Sequence, residues 1–310
     1  MQNYLEIVEL LQKNRIAEIS INEPLKKHTS IKVGGNAKVF VQPKTIAEAK
    51  KCVGLINENK SQYYILGQGT NLLVGDSGFD GVIICLKKLK NYKIFNDGIY
   101  AESGLNLFEL NKLCKQFCFG GLEFSYGIPA SVGGAVVMNA GTQDNCIGNF
   151  VEFCLVLKEN KLVKVEASEL DFSYRHSIFQ TNPNLIILGV KFKLSKAERN
   201  VIENLQQEIF QKKLSNQPYG ELSFGSAFKR NADFPPVSKL IDQLGLKGKI
   251  IGGAKISEKH AGFIINYNQA TCKDCLKLLQ YIKEEISSNF GFKPELEVRL
   301  LGVAENDFIW

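Results

Sequence analysis

Three glycine-bearing stretches near the start of the chain carry the chemistry most directly. They are HTSIKVGG (28–35), ILGQGTNLLV (65–74) and GIPASVGGAVVMNAG (127–141). Residues without bulky side chains let backbone approach a flat or charged ligand, and successive inward N–H groups can cradle a phosphate. In the second stretch Gly67 and Gly69 flank Gln68, and Thr70 and Asn71 add side-chain donors before Leu72. This is not a dinucleotide fingerprint. Leu72 stands where the third glycine belongs, and LLVGDSG follows instead of an amphipathic helix. It also lacks the GK[ST] of a P-loop. On its own it is an ordinary tight turn or an anion cradle.

The third stretch opens on Gly127 and Ile128, and Pro129 stiffens its turn. Ala130, Ser131, Gly133, Gly134 and Ala135 are all small, and Asn139 and Gly141 close the segment. It could be a buried strand, a helix packed by small residues, or backbone laid against a ligand. Gly34 and Gly35 again stand beside a strand. Three such loops together point to one extended, phosphate-bearing cofactor threaded between them.

Other constellations are weaker. The eight cysteines are scattered, and Cys272–Cys275 is the only CxxC, with no second pair or clustered histidine to complete a zinc site. It opens an amphipathic pattern, where cysteine acts as a small apolar residue. The net charge of +6 comes from lysines spread along the chain. That suits a solvated surface or the steering of an anionic small molecule, and no recognition motif accompanies it to suggest nucleic acid. No apolar run approaches the ~20 residues of a membrane helix. The first residues, MQNYLEIVELLQKN, lack the basic start and unbroken apolar stretch of a signal peptide. The expectation is a cytoplasmic protein.

The elements that must position these loops follow from periodicity. Residues 3–14 read as a short helix and 37–43 as a strand. Thr45 and Glu48 open a helix to about 57. Strands are expected at 62–66 and 81–86, a hairpin turn at Asn96-Asp97-Gly98, and a helix from Asn106 to about 118. Strands return near 150–157, 161–165 and 185–194. Residues 197–214 read as a charged helix with Val201, Ile202, Leu205 and Ile209 on one stripe. Beyond it lie a helix over PVSKLIDQLG, the strand GFIIN, a helix from Thr271 to about 289 and a last strand near LEVRLLG. The order is not a clean βαβ alternation, so the expected class is α+β.

The sequence resembles the UDP-N-acetylenolpyruvoylglucosamine reductases (UDP-N-acetylmuramate dehydrogenases). HTSIKVGG, ILGQGTNLLV, GIPASVGGAVVMNAG, FSYRHSIF, FGSAFKRN, KISEKHAGFIIN and ELEVRLLG occur in that family's order and spacing across almost the whole chain. The resemblance implies a vanillyl-alcohol-oxidase-type FAD-binding region of two subdomains (1–87 and 88–196) and a C-terminal α/β substrate-binding domain (197–310). It implies non-covalent FAD cradled by the glycine loops, NADPH as hydride donor, and UDP-N-acetylglucosamine enolpyruvate as substrate for peptidoglycan synthesis. The expected protein is a monomer with no metal. The chain is too short for the added C-terminal segment of the larger family version, and so resembles the compact type.

In the family, hydride passes from flavin N5 to the enolpyruvyl C3, charge builds on the adjacent carboxylate, and C2 needs a proton. By motif, Arg175 in Ser173-Tyr174-Arg175-His176 is the cation that holds the carboxylate. Ser226 in Phe224-Gly225-Ser226 is the proton donor, and Glu297, just before Val298-Arg299, is the partner carboxylate. Glu295 lies two residues away and rivals Glu297. Tyr174 and Lys229 are candidate substrate contacts. Outside the motifs, Arg175 is a surface ion pair and Ser226 a turn residue. His176 reads as a neutral, satisfied histidine rather than a catalytic base, and His260 as a residue that orders a loop. Some relatives of the fold attach flavin covalently to a histidine, but the resemblance implies that His28 does not do so here. An FAD oxidase of the same fold is the rival activity, and the combination of Ser226, Arg175 and Glu297 argues against it.

Overall fold

A computed structural model of the chain describes residues 4–16, 18–142 and 144–303. Residue 3, at the start of the first expected helix, lies outside them. The chain divides into two compact units. One draws on Met1–Ile21, Val39–Gln68 and Gly81–Lys213, the other on Asn22–Lys38, Gly69–Asp80 and Leu214–Trp310.

Among the described residues, the first unit has two hydrophobic cores. Its five-stranded antiparallel sheet runs in the order Lys161–Glu166, Val151–Lys158, Ile186–Lys193, Gly98–Glu102, Tyr92–Phe95. Cys154, Val156, Val190, Phe192, Ile99 and Ala101 build one core with Leu107, Leu110, Val132 and Val136 from the helices beside it. These are β-branched, aromatic and small residues suited to a pleated, half-buried surface. The expected hairpin is present: Phe95 pairs with Gly98 around Asn96-Asp97, and Gly98 takes the positive φ.

The other core joins helices Tyr4–Lys13 and Ile46–Glu58 to Val39, Val41, Val82 and Ile84. The Thr45 hydroxyl accepts from Glu48 N at 3.1 Å, satisfying one orphan donor of the second helix. The sheet under them runs Ile19–Pro24, Asn36–Val41, Phe79–Cys85, Tyr63–Leu66, with the last two parallel.

The second unit packs helices Val237–Gln243 and Cys272–Phe290 on a sheet ordered Ser223–Ser226, Phe263–Asn266, Ala254–Ile256, Ile250–Ile251. The long helix is closed at both ends. Thr271 and Asp274 form a capping box, and Gly291 ends it at φ 68°. A parallel pair joins Leu72–Val74 to Arg299–Leu301.

The mixed, segregated elements are α+β as expected. Two details differ from the periodicity reading. Helix Arg199–Asn216 buries Ile202 and Gln206, while Val201 and Leu205 are exposed. Gln206 is held inside because its amide donates to Asn111 O (3.1 Å) and Oδ1 (3.2 Å), a polar partnership that hydropathy does not register. The strand near LEVRLLG is confined to Arg299–Leu301, and Glu295 and Glu297 flank an isolated bridge between Phe228 and Leu296.

Candidate functional site

The stretch 131–137 is a helix, Val132–Val137. Ser131 caps it by accepting from Gly134 N at 3.2 Å. So short a helix has little stability of its own and is held by packing. Its two glycines differ. A Cβ on Gly133 would meet Ser103 Cβ at 2.8 Å, so this position is closed by protein. Among the described residues beyond the helix's own backbone and the adjoining residues, a Cβ on Gly134 would meet only the cap hydroxyl of Ser131, at 3.1 Å. In the same unit a Cβ on Gly67 would meet Ser131 Oγ at 2.6 Å, which brings the second glycine loop against the third. Gly127 has φ 80° and sits under Phe210 and Lys213. Ile128 is half-buried and Pro129 exposed, while Gly141 forms a bridge with Cys146.

Lys213 carries no signal in a glycine motif and was missed by sequence reasoning. Its amine donates to Phe124 O (3.3 Å) and Tyr126 O (2.5 Å), directly before Gly127. Burial lowers its pKa to about 8. The one available signal is its place on the helix that follows Ser195, three turns after Ile202.

Arg175 lies in this unit too. Ser173 and His176 bond to each other's backbone (3.3 and 3.1 Å), making Tyr174-Arg175 the centre of a tight turn. Arg175 has φ 54°, the left-handed position that usually falls to glycine or asparagine. A bulky residue held there is strained, and such strain persists where the surroundings over-determine it. Its guanidinium donates to Gly141 O at 3.1 Å and lies 5.3 Å from the Tyr174 ring, which is itself 52% exposed. His176 is paired with Asp171 at 3.1 Å.

The second unit brings together Gly69, Thr70, Asn71, Leu72, Ser226 and Glu297. Gly69 has φ 68°, and its α-carbon lies against His28 O. Among the described residues, no protein acceptor takes the backbone N–H of Gly69, Thr70 or Asn71. Three consecutive orphan donors around a left-handed glycine make an anion-binding concavity. A Cβ on Gly225 (φ 83°) would lie 3.7 Å from Thr70 O, so the turn before Ser226 borders this loop. Asn71 Nδ2 donates to Glu297 O at 3.0 Å, and Arg299 N donates to Asn71 O at 3.1 Å. Glu297 N donates to Ala227 O at 2.9 Å, which sets Glu297 beside the backbone of Ser226. The Ser226 hydroxyl donates to Phe228 O at 3.3 Å.

Several sequence candidates are engaged elsewhere. Gly34 and Gly35 face Val74 and the backbone of residues 76–78. Lys229 pairs with Glu295 at 3.1 Å, and that carboxylate is 74% exposed. His28 Nε2 lies 3.0 Å from Glu23. His260 Nδ1 accepts from Gly262 N at 3.1 Å, and burial lowers its pKa. Cys272 and Cys275 are buried apolar residues of the long helix.

Residues 37–165 match the model of an FAD binding domain, and residues 217–301 match the C-terminal domain of UDP-N-acetylenolpyruvoylglucosamine reductase. A protein of that name from Clostridium botulinum (strain Okra / Type B1) is 40% identical over 93% of this chain and 94% of its own length. One from Pseudothermotoga lettingae is 41% identical over 91% and 98%. The crystal structure of the Thermus caldophilus reductase superposes with a TM-score of 0.79 at 32% identity, covering 92% of this chain and 98% of that one. An alkyldihydroxyacetonephosphate synthase shares the fold alone, with a TM-score of 0.51 at 13% identity over 63% of this chain and 44% of its own. The fold is the vanillyl-alcohol-oxidase type.

Proposed function

The chain belongs to the UDP-N-acetylenolpyruvoylglucosamine reductase family, and on that premise we propose which of its residues do the work. It is an FAD-dependent oxidoreductase that reduces the enolpyruvyl group of UDP-N-acetylglucosamine enolpyruvate in peptidoglycan precursor synthesis, with NADPH as hydride donor. The residues present fit the cofactor. The orphan N–H groups of residues 69–71 suit a diphosphate, and the open α-carbon of Gly134 suits close approach of a flat ring. When bound, FAD supplies hydride transfer from NADPH to the enolpyruvyl C3.

The protein must then manage charge and a proton. Arg175 holds the substrate carboxylate as negative charge builds on it, the electrostatic role that dominates many active sites. Ser226 gives its hydroxyl proton to C2, and Glu297 works beside it. Glu297 is preferred to Glu295 because its backbone is tied to both Ala227 and Asn71, whereas Glu295 is an exposed partner of Lys229. A half-exposed ion pair of that kind is worth little. The observation that carries this reading is the second unit's backbone cluster, where the anion cradle, Ser226 and Glu297 are built from mutually bonded segments.

We place the FAD-binding region in 1–196 and the substrate domain in 197–310, and the protein acts as a cytoplasmic monomer. No described helix is long and apolar enough to cross a membrane. Ser226→Ala tests the assignment. Flavin bleaching by NADPH stays close to the wild-type rate, while reduction of the enolpyruvyl substrate slows by roughly 100-fold or more. Equal slowing of both steps would remove Ser226 from its role.

A further inference from the structure

We propose that Asn139 is a positioning residue for Arg175, and that it ties the arginine's turn to the segment lying along the cofactor. The inference rests on the assignment of Arg175 to the substrate carboxylate. Asn139 is 3% exposed and closes the helix Val132–Val137 one residue beyond its cap. Both ends of its amide are committed to protein. Nδ2 donates to Ser173 O at 2.8 Å, and Oδ1 accepts from Gly148 N at 2.9 Å. Ser173 is the first residue of the turn that holds Arg175.

Two further bonds converge on the same turn. Gln180 Nε2 donates to Arg175 O at 2.8 Å, and Arg175 Nη2 reaches Gly141 O at 3.1 Å. The turn's left-handed φ at Arg175 makes such fixing necessary, because a freed arginine relaxes out of that region. Asn139 itself sits at φ 41°, where asparagine and glycine are the residues that fit. With both the nitrogen and the oxygen of its buried amide bonded to protein, Asn139 acts on the reaction through Arg175.

Asn139→Gly deletes both bonds and keeps the left-handed backbone. In the FAD-saturated enzyme we expect reduction of the enolpyruvyl substrate to be slowed by about tenfold or more beyond any change in NADPH bleaching. In the same variant, with or without FAD, the amide hydrogens of Ser173 and His176 exchange faster, while those of residues 132–137 do not change. Asn139→Asp, which in its ionised form still accepts from Gly148 N and cannot donate to Ser173 O, shows the same pattern at alkaline pH and serves if the glycine variant does not fold. Equal slowing of NADPH bleaching and substrate reduction, or unchanged exchange at Ser173 and His176, overturns the proposal. Arg175→Lys is the control. If it leaves the substrate step unaffected, the role of Arg175 falls, while hydrogen exchange still reports whether Asn139 holds the turn.

Discussion

Gly133 and Gly134 are neighbours on one short helix, yet alanine at each should do opposite things. At Gly133 the new Cβ would sit 2.8 Å from Ser103 Cβ and 3.3 Å from Ser103 O. That is about 1 Å inside normal contact, and Ser103 is buried and bonded through its own backbone to Leu188. Overpacking of this kind costs roughly 1–3 kcal/mol, so Gly133→Ala should lower the thermal midpoint of the apoprotein. At Gly134, among the described residues and apart from the helix's own backbone and the adjoining residues, a Cβ would meet Ser131 Oγ alone, at 3.1 Å. Alanine gains about 1 kcal/mol of helix propensity, and displacing the cap hydroxyl loses about as much. The apoprotein should therefore change by less than ~1 kcal/mol. If the helix faces the cofactor as proposed, its methyl group projects into the cofactor's space. FAD affinity, read from the quenching of flavin fluorescence, should fall by about tenfold or more, the cost of holding a planar group off by one methyl. Unchanged FAD affinity in Gly134→Ala would mean that the glycine pair serves packing and that the helix does not face the cofactor.

Lys213→Met removes a buried amine. The folded pKa of about 8 is below the ordinary 10.5, so the charged form costs stability below about pH 8 and that cost disappears as pH rises to 10.5. The wild type should therefore gain on the methionine variant across this window by up to about 3 kcal/mol, an upper bound because the carbonyls of Phe124 and Tyr126 favour the charged amine. A flat difference curve in urea melts at pH 7.5 to 10.5 would show that the amine is solvated. Glu297→Gln should slow reduction of the enolpyruvyl substrate by tenfold or more, and Glu295→Gln by less than about twofold; the reverse order would exchange the two carboxylates. Acid precipitation should release all the flavin into the supernatant, since His28 is paired with Glu23, and flavin retained in the pellet would contradict non-covalent binding.

Much of this was legible in the residues. Capping positions at Thr45, Asn106 and Thr271 are local chemistry, and each accepts a backbone N–H as its residue type predicts. The glycine loops were legible as candidates, but the duty of each glycine was not. Gly34, Gly35 and Gly133 are closed by residues far away in the chain, and only the three-dimensional neighbours separate them from Gly134. Asn71 and Asn139 show the same limit. In sequence Asn71 reads as a side-chain donor and Asn139 as the close of its segment, while their amides reach Glu297 and Ser173, 226 and 34 positions away. Lys213 was hidden because its partners are backbone carbonyls, which no motif encodes. Helix Arg199–Asn216 misled by hydropathy, since its buried Gln206 is stabilised by hydrogen bonds to Asn111.

The most direct test of the central claim is an anaerobic visible spectrum of the purified protein, taken before and after NADPH and again after UDP-N-acetylglucosamine enolpyruvate. The flavin band should bleach with NADPH and return when the enolpyruvyl substrate is added. Bleaching without return would move the substrate assignment away from the enolpyruvyl sugar nucleotide. A colourless protein that cannot be loaded with FAD would contradict the account at its root.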